Sequence, residues 1–122
     1  MNIHESAEDY LEAILKIREK KGMVRSIDIV NELGYSKPSI SIAMKRLREN
    51  GYIIMDEDNF ITLTDSGMDI AQKIYTRHKT LTKFLVNLGV DEDTAEKDAC
   101  KIEHDISDIT FERISEMVKT YS

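Results

Sequence analysis

What most restricts this chain is a change of hydrophobic period: helical to about residue 50, short and β-prone to residue 63, then helical again. Ala7, Leu11, Ile14, Leu15 and Ile17 recur at helical spacing inside ESAEDYLEAILKIREKKG, which has acids in its first turn and closes on Lys-Lys-Gly. A first helix is expected there. Ser26 is expected to cap a short second helix through Ile27, Ile29, Val30 and Leu33 that stops at Gly34. Ser36, with Pro38 in the first turn, opens a third helix that runs to Asn50-Gly51. Two helices joined by a tight glycine-containing turn make a helix-turn-helix.

Tyr52-Ile53-Ile54-Met55 and Phe60-Ile61-Thr62-Leu63 flank the polar turn DEDN and read as the two-stranded wing of such a module. Thr64 is expected to cap a fourth helix toward Leu88, with Ile70, Ile74, Leu81 and Leu85 as its apolar stripe and Gly89 as its stop. The stretch from Asp91 to Thr94 opens a fifth helix over AEKDACKIEHDIS. Ser107 or Asp108 opens a sixth, with Ile109, Ile114, Met117 and Val118 inward. The expected fold is therefore mainly α. It has an N-terminal winged helix-turn-helix at residues 1–64 followed by a helical region at residues 65–122.

A chain of 122 residues can bury one ordinary core, or a small module plus a segment that borrows its core from a second copy. The start MNIHESAEDY has neither the basic region nor the apolar stretch of a secretion signal, and no apolar run reaches bilayer length. A cytoplasmic protein without a membrane partner is the expectation. The net charge of -6 argues against a nucleic-acid partner until its distribution is considered. Between Ser36 and Asn50, Lys37, Lys45, Arg46 and Arg48 oppose only Glu49, whereas from Asp65 onward twelve acids outnumber eight bases. In the third helix Ile40, Ala43, Met44 and Leu47 should face inward. Ser36, Lys37, Ser39, Ser41, Lys45, Arg46 and Arg48, with Arg25 before the second helix, are then candidate contacts to duplex DNA. A merely solvated amphipathic helix is the other reading of the same pattern.

Cys100, Glu103 and His104 stand at i, i+3 and i+4 and would share one face of the fifth helix. Thiol, carboxylate and imidazole are three good ligand types for divalent transition metals. Asp9 and Glu12 form a second pair one turn apart on the first helix, and His78 on the fourth is a further candidate. Each also has an ordinary alternative: His78, between Arg77 and Lys79, as an exposed basic residue, and Cys100 as a small buried hydrophobe. A winged-helix regulator answering a non-metal signal is the leading alternative function. A metalloenzyme built on Glu103, His104 and Cys100 is disfavoured, because no nucleophile elbow, phosphate loop or HExxH motif accompanies them. A helical scaffold that only dimerises leaves the basic third helix and the wing unexplained.

SAEDYLEAI, SKPSISIAMKRLRENGYI, ITLTDSGMDIA, RHKTLTKFLVNLGVDEDTAEKDA and CKIEHDIS, in unbroken order, closely resemble the diphtheria-toxin-repressor and manganese-transport-regulator family. The resemblance implies a homodimeric winged-helix repressor that binds a palindromic operator when Mn(II) or Fe(II) is plentiful and silences metal-uptake genes. It implies no small-molecule substrate and no enzymatic activity. It places Asp9, Glu12, His78, Cys100, Glu103 and His104 at metal-ligand positions. The sequence is similar to the shorter, manganese-type members and is expected to lack the SH3-like domain of the iron-type ones. Manganese-type members carry glutamate where this chain has Cys100. Iron-type members carry methionine where it has Asp9, and their auxiliary-site acid falls at Thr82. The donor set is thus a hybrid: hard oxygens suit Mn(II) or Fe(II), and the thiolate also admits Co(II), Ni(II) or Zn(II).

Overall fold

The computed structural model describes residues 5–121 and the side chains of residues 6–120. Helices α1 (Glu5–Lys21), α2 (Ser26–Leu33) and α3 (Lys37–Glu49) come first, followed by strands β1 (Ile53–Met55) and β2 (Ile61–Leu63). Leu11, Ile14, Leu15 and Ile17 of α1 are buried together with Ile29 of α2, Ile40, Met44 and Leu47 of α3, and Ile53, Ile61 and Leu63 of the hairpin. These are the positions the helical and alternating periods select. Gly34 stands at φ 73°, a left-handed conformation that favours glycine, and its N–H donates to the Val30 carbonyl at 2.8 Å. Ser36 then caps α3, its hydroxyl oxygen accepting from the Ser39 N–H at 3.3 Å, with Pro38 in the first turn.

The start of α2 differs from expectation. Ser26 is its first helical residue and Arg25 its N-cap; the capping acceptor is Asp28, whose Oδ2 takes the Arg25 N–H at 2.9 Å. An acid at the third helical position can reach back to the cap residue, so a serine at the boundary was not required. Asp28 Oδ1 also accepts from Lys21 Nζ at 2.6 Å, which joins the end of α1 to the start of α2. The lysine hydrogen bond is the main cause holding the Asp28 carboxyl below the ordinary carboxylate range, with the Arg25 N–H second.

The two strands pair antiparallel with Ile53 opposite Leu63 and Met55 opposite Ile61. Asp56 organises the turn by accepting the N–H groups of Asp58 and Phe60, each at 2.9 Å, and Asn59 takes φ 66°. The Ile61 N–H donates to the Val24 carbonyl at 2.7 Å, which ties the wing to the segment before α2. Helix α4 (Asp65–Asn87) follows. Thr64 caps it, donating to the Gly51 carbonyl at 2.7 Å and accepting from the Gly67 N–H at 3.2 Å. A Cβ on Gly67 would lie 2.0 Å from the Tyr52 carbonyl oxygen, so the close approach of the first turn of α4 to the chain after α3 requires glycine.

Contacts divide the chain into two units, residues 1–72 and 73–122, the division falling inside α4. The second unit holds the rest of α4, α5 (Glu92–Ile102) and α6 (Asp108–Tyr121). Ile74, Leu81, Ala95, Ala99 and Val118 are its buried apolar side chains. Asp91 caps α5, accepting from the Thr94 N–H at 3.0 Å. Two expectations are corrected in this unit. Helix α5 stops at Ile102 instead of running on toward Ser107: Glu103 is its C-cap, still helical with its N–H donating to the Ala99 carbonyl at 2.9 Å, and His104 lies in the turn that follows. Ile109 and Met117 of α6 are 72% and 49% exposed, not inward, whereas Val118 is buried.

Candidate metal centre and DNA-reading helix

In the unit of residues 73–122, His78, Cys100, Glu103 and His104 come together. Glu103 is wholly buried. Its Oε2 lies 2.9 Å from His78 Nδ1, and its Oε1, which accepts no hydrogen bond, lies 3.5 Å from His104 Nε2. The side chains of His78 and His104 are 12% and 2% exposed. Cys100 Sγ is within 4.8 Å of a Glu103 carboxylate oxygen, although the residue as a whole is exposed. Both ordinary alternatives therefore fail: His78 is not a surface base, and Cys100 is not a core residue. An open groove of about 360 Å³ passes His78, with Thr82 on the same wall and Glu92 and Glu96 of α5 opposite. The Thr82 hydroxyl is engaged within its own helix, donating to the His78 carbonyl at 2.8 Å.

A carboxylate without solvent exposure is costly unless cations or several donors satisfy it. Among the described residues, one oxygen has a single imidazole nitrogen and the other accepts no hydrogen bond. Glu103 is thus approached separately by two imidazoles and a thiol, and these are donor types that hold a divalent transition metal, so the chemistry around this carboxylate fits such an ion.

The turn that carries Glu103 and His104 is held by Arg77, which the sequence reading passed over as a charged neighbour of His78. The Arg77 side chain is 7% exposed. It donates to the carbonyls of Glu103 at 3.1 Å and Ile106 at 3.0 Å, pairs with Asp108, and lies 5.3 Å from the centre of the Phe111 ring. Carbonyls that leave a helix end need donors, and a buried guanidinium supplies several in fixed geometry. Its partners are 26 and more residues away, so no local pattern reveals it.

Asp9 and Glu12 belong to the unit of residues 1–72, one turn apart on α1. Asp9 is half-buried and Glu12 buried, with Lys16 Nζ 3.8 Å from Glu12 Oε1. Tyr10, between them, stacks edge-on against Tyr35 at 6.0 Å. Burial first, then the neighbouring Tyr35 and Asp9, push the Tyr10 hydroxyl pKa up.

In the same unit Ser36, Lys37, Ser39, Ser41, Lys45, Arg46 and Arg48 are all exposed, on a helix whose Ile40, Met44 and Leu47 are buried. Ser26, Ser41, Lys45 and Arg48 line a depression of about 180 Å³ beside the wing residue Met55. Arg25 is exposed too, its guanidinium 4.2 Å from the centre of the Phe60 ring at the base of the wing. Phe60 thus holds an arginine at the start of α2, the first helix of the helix-turn-helix.

Comparison with known proteins agrees with both halves. The family described as "Iron dependent repressor, N-terminal DNA binding domain" matches residues 2–59, and "Iron dependent repressor, metal binding and dimerisation domain" matches residues 64–122. An uncharacterised HTH-type transcriptional regulator of Methanocaldococcus jannaschii is 39% identical over 112 residues, covering 90% of each chain. The HTH-type transcriptional regulator MntR of Bacillus subtilis is 33% identical over 116 residues, covering 95% of this chain and 82% of its own. A manganese-dependent transcriptional repressor solved in complex with manganese superimposes with a TM-score of 0.83 at 33% identity, over 93% of this chain and 52% of that one. The chain thus spans about half the length of that solved structure. Matches of this identity and coverage, running through both the DNA-binding and the metal-binding halves, establish that the chain belongs to the iron-dependent repressor family.

Proposed function

We propose that this protein represses transcription of metal-uptake genes in the cytoplasm when Mn(II) or Fe(II) is plentiful, using its winged helix-turn-helix to hold a palindromic operator as a homodimer. The observation that carries the reading is Glu103, a buried carboxylate with one oxygen lacking any hydrogen bond, set between His78 and His104 and close to Cys100. These four, with Asp9 and Glu12 on α1, are the proposed ligands. Residues 1–64 read DNA and residues 65–122 bind metal and dimerise. Repressors related to this chain use manganese, and one of them has been solved with manganese bound. The family consists of DNA-binding regulators rather than enzymes.

A bound dication would supply the positive charge that the buried Glu103 carboxylate lacks. Without it, Glu103 leans on a single imidazole nitrogen. Arg77 holds the Glu103 turn in either state, because its bonds go to main-chain carbonyls and not to the carboxylate. The apolar exposure of Ile109 and Met117 on α6, inside the segment matched as a dimerisation domain, supports a second copy covering that helix. Metal then acts only through its differential affinity for the DNA-competent form.

The test is DNA binding by purified protein stripped with chelator and resupplied with Mn(II), Fe(II) or Zn(II), using the promoter regions of metal-transport genes as duplexes. Affinity should rise at least about tenfold with Mn(II) or Fe(II), within the range of ordinary coupling energies. Metal-free protein with full affinity would instead favour a regulator that answers another signal.

A further inference from the structure

We infer that Ile42 is a sequence-reading residue, and that it selects a thymine in each operator half-site by packing on the thymine C5-methyl group. The inference rests on the DNA-reading role of α3 proposed above and adds to it what the helix reads. Ile42 is 55% exposed in a helix whose other large aliphatic residues, Ile40, Met44 and Leu47, are 5% exposed or less. At roughly 100° per residue, Ile42 lies about 180–200° round the helix from that buried stripe. It is the midpoint of the outer face. Ser39 precedes it by one turn, and Lys45 and Arg46 follow it by one turn.

Isolated exposed aliphatic residues are common and usually mean nothing. Ile42 differs in its setting. Lys37, Ser39, Ser41, Lys45, Arg46 and Arg48 surround it with cations and small hydroxyls, the residue types that meet phosphates and base edges. The depression flanked by Ser41, Lys45 and Arg48 lies to one side of the helix and offers a seat for a backbone phosphate, which leaves the Ile42 face toward the bases. An isoleucine side chain neither donates nor accepts a hydrogen bond, and β-branching gives it a stiff shape. In the major groove the one apolar group that projects from a base edge is the thymine methyl. Cytosine carries only a hydrogen at C5, so it offers no methyl to pack on, and its neighbouring N4 amino group would lose water to Ile42 and gain no partner, so the contact discriminates as well as attracts.

The experiment selects sites for the Mn(II)-loaded protein from a random-sequence duplex library, then rebuilds the recovered site with uracil in place of each thymine in turn. One symmetric pair of thymines should emerge, and loss of its methyl groups should weaken binding three- to fivefold per half-site, about the effect of one buried methyl group. Ile42→Ala should bind the thymine and uracil duplexes equally while keeping wild-type affinity for unselected duplex, which shows that it is folded and metal-responsive. Wild-type affinity indifferent to every uracil replacement overturns the role of Ile42 and leaves DNA recognition by α3 intact, as does discrimination that survives in Ile42→Ala. Failure of the wild-type protein to enrich any site overturns the DNA-reading assignment, and that of Ile42 with it.

Discussion

Glu103 combines zero exposure with an oxygen that no donor reaches, which makes it the residue on which the metal reading turns. Glu103→Gln keeps the volume and removes the charge. Mn(II) affinity measured calorimetrically should fall by about 100-fold or more, beyond the 10- to 100-fold effects of residues that only support ligands. The melting temperature of the metal-free protein should hold or rise, because the variant no longer buries a carboxylate with a single partner. Unchanged Mn(II) affinity would remove Glu103 from the ligand set. Asp28 is a carboxylate of the opposite kind, answered by Lys21 and the Arg25 N–H. Its folded pKa is depressed, so its stabilisation is fully present above the unfolded value and is lost as pH falls through the folded one. The wild-type protein should therefore lose its advantage over Asp28→Asn below about pH 4. At pH 7 the variant should be less stable by about 1 kcal/mol, the size of a lost cap. Parallel denaturant titrations at both pH values check this.

At the level of elements, the pinch between α4 and the chain after α3 gives a steric prediction. Gly67→Ala would put a methyl group 2.0 Å from the Tyr52 carbonyl oxygen and 3.3 Å from Leu63 Cδ2. Backbone has to move, at a cost of about 1–3 kcal/mol read from the denaturant midpoint. A midpoint equal to wild type would mean that this contact yields freely. The elements that the sequence made legible are those whose signals are local. The α3 stripe of Ile40, Met44 and Leu47, the Gly34 turn, the Ser36 cap and the Asp56–Asn59 turn all follow from residues within a few positions of one another. The end of α5 was not legible, because CKIEHDIS contains no helix breaker. The carbonyls at and beyond that end, Glu103 and Ile106, are taken by Arg77 on α4 from a distance in sequence. The same break carries His104 off the helix, so its ligand character was readable but its placement in the turn was not. Ile109 and Met117 misled for a related reason: an apolar periodicity shows that a face will be covered and does not say by which chain.

For the whole molecule, an acidic chain that binds DNA must confine its cations to one surface. With Lys37, Lys45, Arg46 and Arg48 on α3 and a net charge of -6, phosphate contacts are expected to be few and local. DNA affinity should fall linearly with the logarithm of salt concentration. Lys45→Ala should lower that slope by about one for each subunit, so by about two for the dimer, with little change in sequence preference. A slope that stays at its wild-type value would take Lys45 off the phosphate backbone. The metal half and the DNA half were both legible as compositions, one rich in acids with His and Cys, the other locally basic. In the function proposed above, their coupling would rest on one ion whose ligands are far apart in sequence.

That coupling is tested most directly by anomalous diffraction from crystals of the Mn(II)-loaded protein. The account predicts an anomalous peak about 2.0–2.3 Å from a Glu103 oxygen, with nitrogen from His78 or His104 and oxygen from Asp9 or Glu12 in the same coordination sphere. A peak remote from Glu103, with its Oε2 still hydrogen-bonded to His78 Nδ1 at 2.9 Å, would contradict it.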